Sequence, residues 1–441
     1  RVALIVAAVA VAGATTTQPK GRAPLLYPSL PATLRLEPLR AVRMFVQQAS
    51  SEVPRSFHSL YGTSARSAHG PGEGQLVQSS AQAQALLITS LAASSPSMHA
   101  SGASQSAASK ELLGYALSFY LGWRRMCVYS AQQDSSCQLA DAATAAKRQG
   151  FSCGTGRGWL TPRYPCLPHR AWNRTLDGVQ SAGSASDADA DAILALIVLT
   201  VRFENKGAAW WYEVGQWAYD SCKAFLQFDT ELNTDGGERI VRLGACRGGW
   251  TCANPSFMSP AHARVFDSFM RDYAVLFNNA RYRLDGPAPQ TVAAQVEAEA
   301  YSTMWRQLIK TGYRVLSAAQ SPATGLFISC LIPDPLHVAD KGAIGDACCG
   351  TQSPASEFGD DAARIAWRLF LDYSWFTGAT EWSGNRFAQQ LLRPLTLQAA
   401  SRMHLVDQKG CAKVSCNPDI DLAAGAGTDK SGAVKTAGKP L

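Results

Sequence analysis

The sequence lacks several features that would place it in a common functional class. It has no dense Lys/Arg run, although 41 basic and 34 acidic residues give a net charge of +7, so a phosphate-tracking surface is not expected. Beyond its first residues, no segment offers the roughly 18 uncharged apolar residues in a row that a membrane span requires. It also lacks a CxxC pair, and its seven His do not fall at zinc-finger spacing. We therefore expect no nucleic-acid partner, no membrane span, no metal and no cofactor.

What is present indicates a large globular protein that enters the secretory route. The chain has 441 residues, of which 46% are hydrophobic and 17% charged, enough to bury a sizeable core. Residues 1–14 form a short apolar run in which Ala12 and Ala14 match the small-x-small pattern of a signal-peptidase site. These features predict a secreted, extracellular protein of a cell wall, matrix or cell surface.

The cysteines and one sequon fit that compartment. Twelve cysteines suggest up to about six disulfides. Asn173, in Asn-Arg-Thr, is a glycosylation acceptor and predicts a glycoprotein. The short loops that are plausible disulfides, with the connectivity left open, are Cys127 with Cys137, Cys153 with Cys166, Cys246 with Cys252, and Cys411 with Cys416.

Helical periodicity dominates the middle of the chain, whereas convincing strands are few. Residues 15–60 predict an extended N-terminal arm, 61–400 a helical body, and 401–441 a Cys-bearing segment followed by a loose tail. Long loops between many helices indicate an all-α toroid or array. The predicted helices cover residues 81–93, 110–127, 187–203, 210–228, 260–278, 292–318, 361–376 and 386–400.

Four motifs follow one another along the chain. Residues 184–191 read Ser-Ala-Ser-Asp-Ala-Asp-Ala-Asp and lead into an apolar helix, residues 254–260 read Asn-Pro-Ser-Phe-Met-Ser-Pro, and residues 324–334 contain Thr-Gly-Leu and Pro-Asp. Residues 361–368 read Asp-Ala-Ala-Arg-Ile-Ala-Trp-Arg. In this order the motifs resemble glycoside hydrolase family 8, and the resemblance implies an all-α (α/α)6 barrel with a sugar cleft across one end, to which the cysteines would add stabilising disulfides. The resemblance fades after about residue 380, so either the barrel closes differently or the chain is incomplete at its C-terminus.

The resemblance also implies roles for three charged residues. Asp187 would contact the sugar at the cleavage subsite, Asp361 would be the general base of an inverting mechanism, and Arg364 would stand beside that base. The i, i+3 spacing of Asp361 and Arg364 puts both on one helix face, where a guanidinium can orient a carboxylate. The alternative for this pair is an ordinary surface salt bridge.

The expected general acid is missing in the favoured register. An inverting glycosidase needs a protonated carboxyl about 6.5 to 9.5 Å from the base, which the family supplies from a Ser-Glu-Gly motif at the start of an early inner helix. Residues 79–88 fit that helix and put Ser80 at the acid's position. Glu73, in Gly-Glu-Gly-Gln, is the other candidate, but no small-residue helix follows it directly.

Aromatic residues complete the expected site. Phe257 stands where the family has a Tyr near the reaction centre, so the ring is kept without its hydroxyl. Trp172 and Trp250, in Gly/Pro-rich loops, are the predicted sugar-stacking platforms among eleven Trp.

These residues lead to two functional readings. The first is a catalytically impaired, family 8-like pseudoenzyme that binds a β-linked polysaccharide or serves an extracellular assembly together with other structural proteins. The alternative is an active inverting endo-β-1,4-glycanase, cellulase-like, with Asp361 as base and Glu73 as acid. A scaffold subunit with no glycan affinity is a third option.

Overall fold

The protein is described from a computed structural model, and the description covers only part of the chain. The residues described are 37–53, 63–69, 76–94, 103–133, 167–181, 183–204, 209–233, 237–244, 248–277, 291–322, 325–333, 360–376 and 387–394. Within them the fold is mostly helical, as the sequence predicts.

Nine helices carry most of this structure. They are α1 (Glu37–Ala49), α2 (Ser79–Ala93), α3 (Ala103–Gln133), α4 (Ser186–Arg202), α5 (Ala209–Phe228), α6 (Pro260–Asp272), the single turn α7 (Ala274–Phe277), α8 (Thr291–Ala319) and α9 (Asp360–Trp375). Residues 387–394 are also helical. Apart from α1, which was not predicted as a helix, these bounds agree closely with the predicted spans. Helix α3 differs most, because it begins inside the Ser/Ala-rich stretch before residue 110, where a loop is expected.

Seven short strands form three small antiparallel sheets at the ends of the helices. The strands are β1 (Ser50–Glu52), β2 (Arg66–Ala68), β3 (Leu76–Gln78), β4 (Ala171–Asn173), β5 (Val179–Ser181), β6 (Thr230–Asn233) and β7 (Glu238–Val241). β1 pairs with β2, β4 lies between β3 and β5, and β6 pairs with β7. Strand β3 runs directly into α2, so this pairing fixes where α2 begins.

The helices form a row of hairpins. Helix α2 packs on α3, α4 on α5, and α6 on α8, while α4 also contacts α2 and α6, and α6 contacts α9. Helix α4 is the centre of the row, since every residue from Ser186 to Thr200 is buried. A helix that is apolar all round requires neighbours on every side, which explains why its sequence, AILALIVLT, has no polar stripe.

Helix α2 packs closely because its residues are small and uncharged. Its buried Gln82 accepts a hydrogen bond from the Ala68 N–H at 2.8 Å and donates to the Arg66 and Phe119 carbonyls at 2.9 and 3.0 Å. On the facing helix, a Cβ at Gly122 would collide with the Arg66 carbonyl oxygen. One amide side chain and one glycine thus join α2, α3 and β2.

The extended N-terminal arm predicted for residues 15–60 is wrong for residues 37–52, which form α1 and β1. Leu39, Val42 and Val46 of α1 are in the core against α2 and α3. Arg43 adds a two-pronged contact to Glu111, at 2.8 and 2.6 Å. The rest of the predicted arm, the segment 1–14 and the tail 401–441 lie outside the described residues.

The described cysteines divide into two kinds. Cys252 takes part in a disulfide, and so does Cys330. Cys127 and Cys222 are buried thiols. The Cys127–Cys137 bond predicted from sequence proximity is therefore wrong, because Cys127 lies inside α3 among apolar side chains. The other cysteines lie outside the described residues, so the wider disulfide framework stays a prediction.

The described residues contain neither a candidate membrane span nor a candidate metal site. No helix there is long and apolar enough to cross a bilayer. No group of three or more His, Cys, Asp or Glu side chains there is arranged to hold a metal ion.

Candidate functional site

The beginnings of three helices meet around one polar cluster. Asp187 is in the first turn of α4, Asp361 is in the first turn of α9, and Arg364 follows Asp361 by three residues. A 3-10 turn, Pro255–Phe257, leads into α6 beside them, and Asn254 caps it by accepting a hydrogen bond from the Ser256 N–H at 2.9 Å. Helix beginnings expose backbone N–H groups and positive dipole ends, which favours the acidic side chains found here.

Arg364 links two carboxylates at the mouth of this cluster. Its Nη2 lies 3.0 Å from Asp361 Oδ1, and its Nη1 donates to Asp187 Oδ2. Asp361 also accepts a hydrogen bond from Asn254 Nδ2 at 3.2 Å. The Asp361 side chain is 46% exposed, against 25% for Arg364 and 7% for Asp187. The Asp361 carboxylate is thus oriented from two sides and still reachable from solvent.

A second, fully buried layer lies beneath the first. Arg368, one helical turn after Arg364, donates to Asp191 Oδ1 at 3.0 Å and to the Ser256 carbonyl. His262 contacts the same Asp191 oxygen through Nε2 at 3.1 Å, and its Nδ1 lies 2.5 Å from the Ser259 hydroxyl. Asp187 and Asp191 are four residues apart on α4, and Arg364 and Arg368 are four residues apart on α9. The two helices therefore face each other through two ion pairs, Asp187–Arg364 and Asp191–Arg368, which form the two rungs of a ladder.

The two rungs differ in their electrostatics. Burial raises the pKa of the Asp187 carboxyl, an effect that Arg364 and Arg368 only partly oppose. Burial also raises the pKa of Asp191, but there Arg368 and the His262 hydrogen bond outweigh it, and the net pKa falls below its ordinary value. Burial lowers the pKa of His262, so a neutral imidazole donates to Asp191 and accepts from Ser259.

Ser80 is in the first turn of α2, which packs directly against α4. It is half-buried, and its hydroxyl lies 3.5 Å from Gln78 Oε1. Its neighbour Ser79 is fully buried. Glu73, the other candidate acid, lies outside the described residues.

Phe257 ends the 3-10 turn next to the charged cluster. Its ring is half-buried and packs on the core. Together with Phe225, Phe266 and Trp305 it lines a small cavity behind His262.

Neither predicted tryptophan platform is available for stacking. Trp172 is fully buried in the central strand of its sheet, and its indole N–H donates to the His169 carbonyl at 2.7 Å. Trp250 is only 9% exposed and belongs to the core. Both predictions are corrected for the same reason: a loop-like, Gly/Pro-rich sequence does not prevent an indole from turning inward.

Asn173, the predicted glycosylation acceptor, lies in β4 and closes a tight turn. Its side-chain Nδ2 donates to Asp177 Oδ1 at 2.6 Å, while its Oδ1 accepts from the Asp177 and Gly178 N–H groups at 3.1 and 3.2 Å. Its glycosylation stays a prediction.

Four residues of the cluster received no role from the sequence. Three of them, Asn254, Asp191 and Arg368, lie inside the recognised motifs. Membership of a motif was therefore the sequence signal that could have assigned them to the site. His262 lies outside them, and only its spacing of three residues from Ser259, at the start of a helix, hinted at a hydrogen-bonded pair.

Comparison with known proteins gives relatives of one kind. The chain is 24% identical over 204 residues to endoglucanase C of Ruminiclostridium cellulolyticum, a match that covers 45% of this chain and 32% of the relative. It is 24% identical over 198 residues to endoglucanase A of Acetivibrio thermocellus, covering 44% and 31%. The chain thus spans about a third of the length of these curated relatives. No protein-family model matches it.

Solved structures show the same fold. The β-1,3-1,4-glucanase from Paenibacillus sp. X4 superposes with a TM-score of 0.54 at 14% identity, over 96% of this chain and 82% of that one. Rex8A from Paenibacillus barcinonensis, solved with xylose, gives 0.53 at 12% identity over 90% and 77%. At such identities the likeness concerns the fold alone.

Proposed function

We propose that this chain, which is similar to glycoside hydrolase family 8 in sequence and in fold, binds a β-linked glycan with its hydrolytic chemistry impaired. The glycan would lie across the beginnings of α4, α6 and α9. The protein would be secreted and act in an extracellular assembly, as its apolar first residues suggest.

The observation that carries this proposal is the Asp361–Arg364–Asp187 group. An exposed carboxylate, a partly exposed guanidinium and a second carboxylate are fixed at hydrogen-bonding distances of one another. Sugar hydroxyls both donate and accept, so such a group can hold a glycan by several charge-assisted hydrogen bonds. The same arrangement suits Asp361 as a general base that activates water.

Ser80 supports the impairment. It stands in the first turn of a helix packed beside the helix of Asp187, which suits the position that the family gives to its acid. A serine hydroxyl does not protonate a glycosidic oxygen efficiently, and the loss of a general acid typically costs about 100- to 10,000-fold in rate. Phe257 adds to this, since its ring offers an apolar face but no hydroxyl at the reaction centre.

Titration calorimetry with glycan oligomers tests the proposal. The panel should contain β-1,4-gluco-, mixed-linkage β-1,3-1,4-gluco-, xylo- and chito-oligosaccharides, with reducing-sugar release measured in parallel. We expect measurable binding of at least one oligomer without turnover, and its loss in Asp361→Ala. Glu299→Gln, which changes an exposed carboxylate on α8, is the matched control and should bind normally. Failure of every oligomer to bind would contradict the proposal.

The alternative is an active inverting endo-β-1,4-glycanase with Asp361 as base and Glu73 as acid. The names of the curated relatives, all endoglucanases, favour it. In this case the wild-type protein releases reducing sugar and Glu73→Gln loses about 100- to 10,000-fold in rate. Turnover that persists in Glu73→Gln would exclude Glu73 as the donor.

A further inference from the structure

Two buried carboxyl groups lie behind the candidate site and have no part in the function proposed above. Asp189 is in the first turn of α4, between Asp187 and Asp191. Asp229 follows the last residue of α5 and precedes β6. Both side chains are fully buried, so neither can touch a glycan.

A proton on one carboxyl of this pair would allow it to donate a hydrogen bond to the other. Asp229 Oδ1 accepts from the Ser184 hydroxyl at 3.1 Å. Within the described residues, Asp229 Oδ2 and both oxygens of Asp189 receive no N–H or O–H donor. The two carboxyls are nevertheless within hydrogen-bonding reach of each other. Two ionised carboxylates cannot hydrogen-bond, whereas a carboxyl that keeps its proton can donate to its neighbour.

Among the described residues, no cation forms an ion pair with either carboxyl. The charged group acting on both from nearby is a third carboxyl, that of Asp187. Helix α2, which packs on α4, has no charged residue. On the other neighbouring elements, Arg242 pairs with Glu231, Lys223 with Glu297, His262 with Asp191 and Arg264 with Asp372. Arg239 on β7 donates to the Leu226 carbonyl and to the Thr230 hydroxyl. Arg242 reaches Asp229 only through backbone groups, its N–H donating to the Asp229 carbonyl at 2.7 Å.

The titration of the pair follows from this environment. Burial and the neighbouring Asp229 raise the pKa of Asp189 well above its ordinary value. Burial raises the pKa of Asp229 to about 6, a rise limited by its interactions with Asp189 and with the Ser184 hydroxyl. Near neutral pH the two groups therefore hold one proton between them.

We infer that Asp189 and Asp229 are a positioning pair, in which the shared proton ties the first turn of α4 to the end of α5 and so holds Asp187 against Arg364. Asp187 is two residues before Asp189 in the same helical turn, so a displacement of one carries the other. When the proton is lost at high pH, two adjacent buried negative charges repel and this turn shifts. The inference rests on the proposed function only in that Asp187 is taken as a glycan ligand.

The shared proton can be observed directly by infrared spectroscopy. In the full chain at neutral pH, the pair should give the carbonyl stretch of a protonated carboxylic acid. Asp189→Asn should remove this band. Absence of the band in the wild type, or its persistence in Asp189→Asn, would overturn the inference.

The positioning effect can be followed through the guanidinium NMR signals of Arg364. In the wild type they should shift as pH rises from neutrality through the raised pKa of Asp189. In Asp189→Asn they should stay constant, because an amide donates to Asp229 at every pH. Asp189→Ala removes the donor and should show the displaced signals already at neutral pH; if this variant does not fold, Asp189→Asn still decides. A pH shift in Asp189→Asn equal to that of the wild type would overturn the inference.

Asp267→Asn is the control variant. Burial also raises the pKa of Asp267, but this carboxyl is on α6 and pairs with Arg271, so the Arg364 signals should keep their wild-type pH dependence. Both measurements work without a glycan. A protein that binds no glycan but shows the shared proton and the Arg364 shift would refute the proposed function and leave the positioning pair standing.

Discussion

Helix α9 carries Asp361 and Arg364 of the candidate site and helix α2 carries Ser80, but the two helices are held in different ways. Helix α9 has charged residues along its length and is tied to α4 and α6 by the ion pairs of Arg364, Arg368 and Asp372. Helix α2 has none, and is fixed by small residues and by the single amide of Gln82. The position of α2 therefore depends on packing and on one amide side chain, whereas α9 is constrained by its ion pairs.

Restoring the acid tests the α2 side most directly. If Ser80 occupies the acid's position, Ser80→Glu should raise the hydrolysis rate on a bound β-glycan by about 100- to 10,000-fold. The rate is measured as reducing-sugar release. Ser80→Gln is the control, because it has nearly the same shape without a transferable proton. Equal rates in the two variants would mean that Ser80 is not at the acid's position.

Removing a buried charge should show the constraint on the α9 side. Arg368→Met leaves Asp191 buried without its guanidinium, and we expect the free energy of unfolding to fall by about 3–5 kcal/mol. Denaturant titration measures it. Arg271→Met, which removes a guanidinium 45% exposed to solvent, should cost less than about 1 kcal/mol. A similar loss in both variants would contradict the contrast between the buried network and the surface.

The pH dependence of stability should separate the two rungs. Because Arg368 and the His262 hydrogen bond lower the folded-state pKa of Asp191 despite its burial, its contribution is present above the unfolded value of about 4 and is lost as pH falls through the lower folded value. Asp191→Asn should therefore weaken the loss of stability in acid. Asp187, whose folded pKa is raised mainly by burial, contributes in the opposite direction. The test is the unfolding temperature of both proteins measured from about pH 3 to about pH 8. Parallel curves of unfolding temperature against pH for Asp191→Asn and the wild type would contradict this role of Asp191.

The smallest effect is expected at the mouth of the site. Asn254→Asp keeps the oxygen that accepts from the Ser256 N–H but removes the donor to Asp361. Losing one hydrogen bond to a carboxylate, with a like charge in its place, should weaken glycan affinity by about 1.5–3 kcal/mol. Unfolding should change less, since Asp361 is exposed. Calorimetry and denaturant titration on the same samples distinguish the two quantities.

Much of the fold could be predicted because the helices are long and periodic. The predicted spans 187–203 and 210–228 differ from α4 and α5 by no more than one residue at either end. The segment before residue 60 carried a signal that the prediction missed. Helix α1 has 13 residues, as many as α6, and its apolar residues recur at helical spacing, but the Pro and Ser residues around it favoured an extended arm. The inward turn of Trp172 was also unpredictable, since it depends on a hydrogen bond to His169 and on neighbouring strands.

Part of the site could be predicted from motifs alone. The resemblance joined Asp187 and Arg364 in one site, and the structure brings them into contact although 177 positions separate them. It gave no role to His262 or Asp229, because their importance comes from burial and from partners on other helices. Such contacts are properties of packing, and periodicity carries no information about them.

The buried Asp191–Arg368–His262 cluster has a consequence for synthesis on the ribosome. Its three members lie on helices made at very different times, with Asp191 and Arg368 separated by 177 positions. Chains fold from the N-terminus as they emerge. The Asp191 carboxylate of α4 therefore has no Arg368 to pair with until α9 has left the exit tunnel. A nascent chain that ends before residue 360 should remain open to proteases and chaperones, and the last step of compaction should coincide with release of α9.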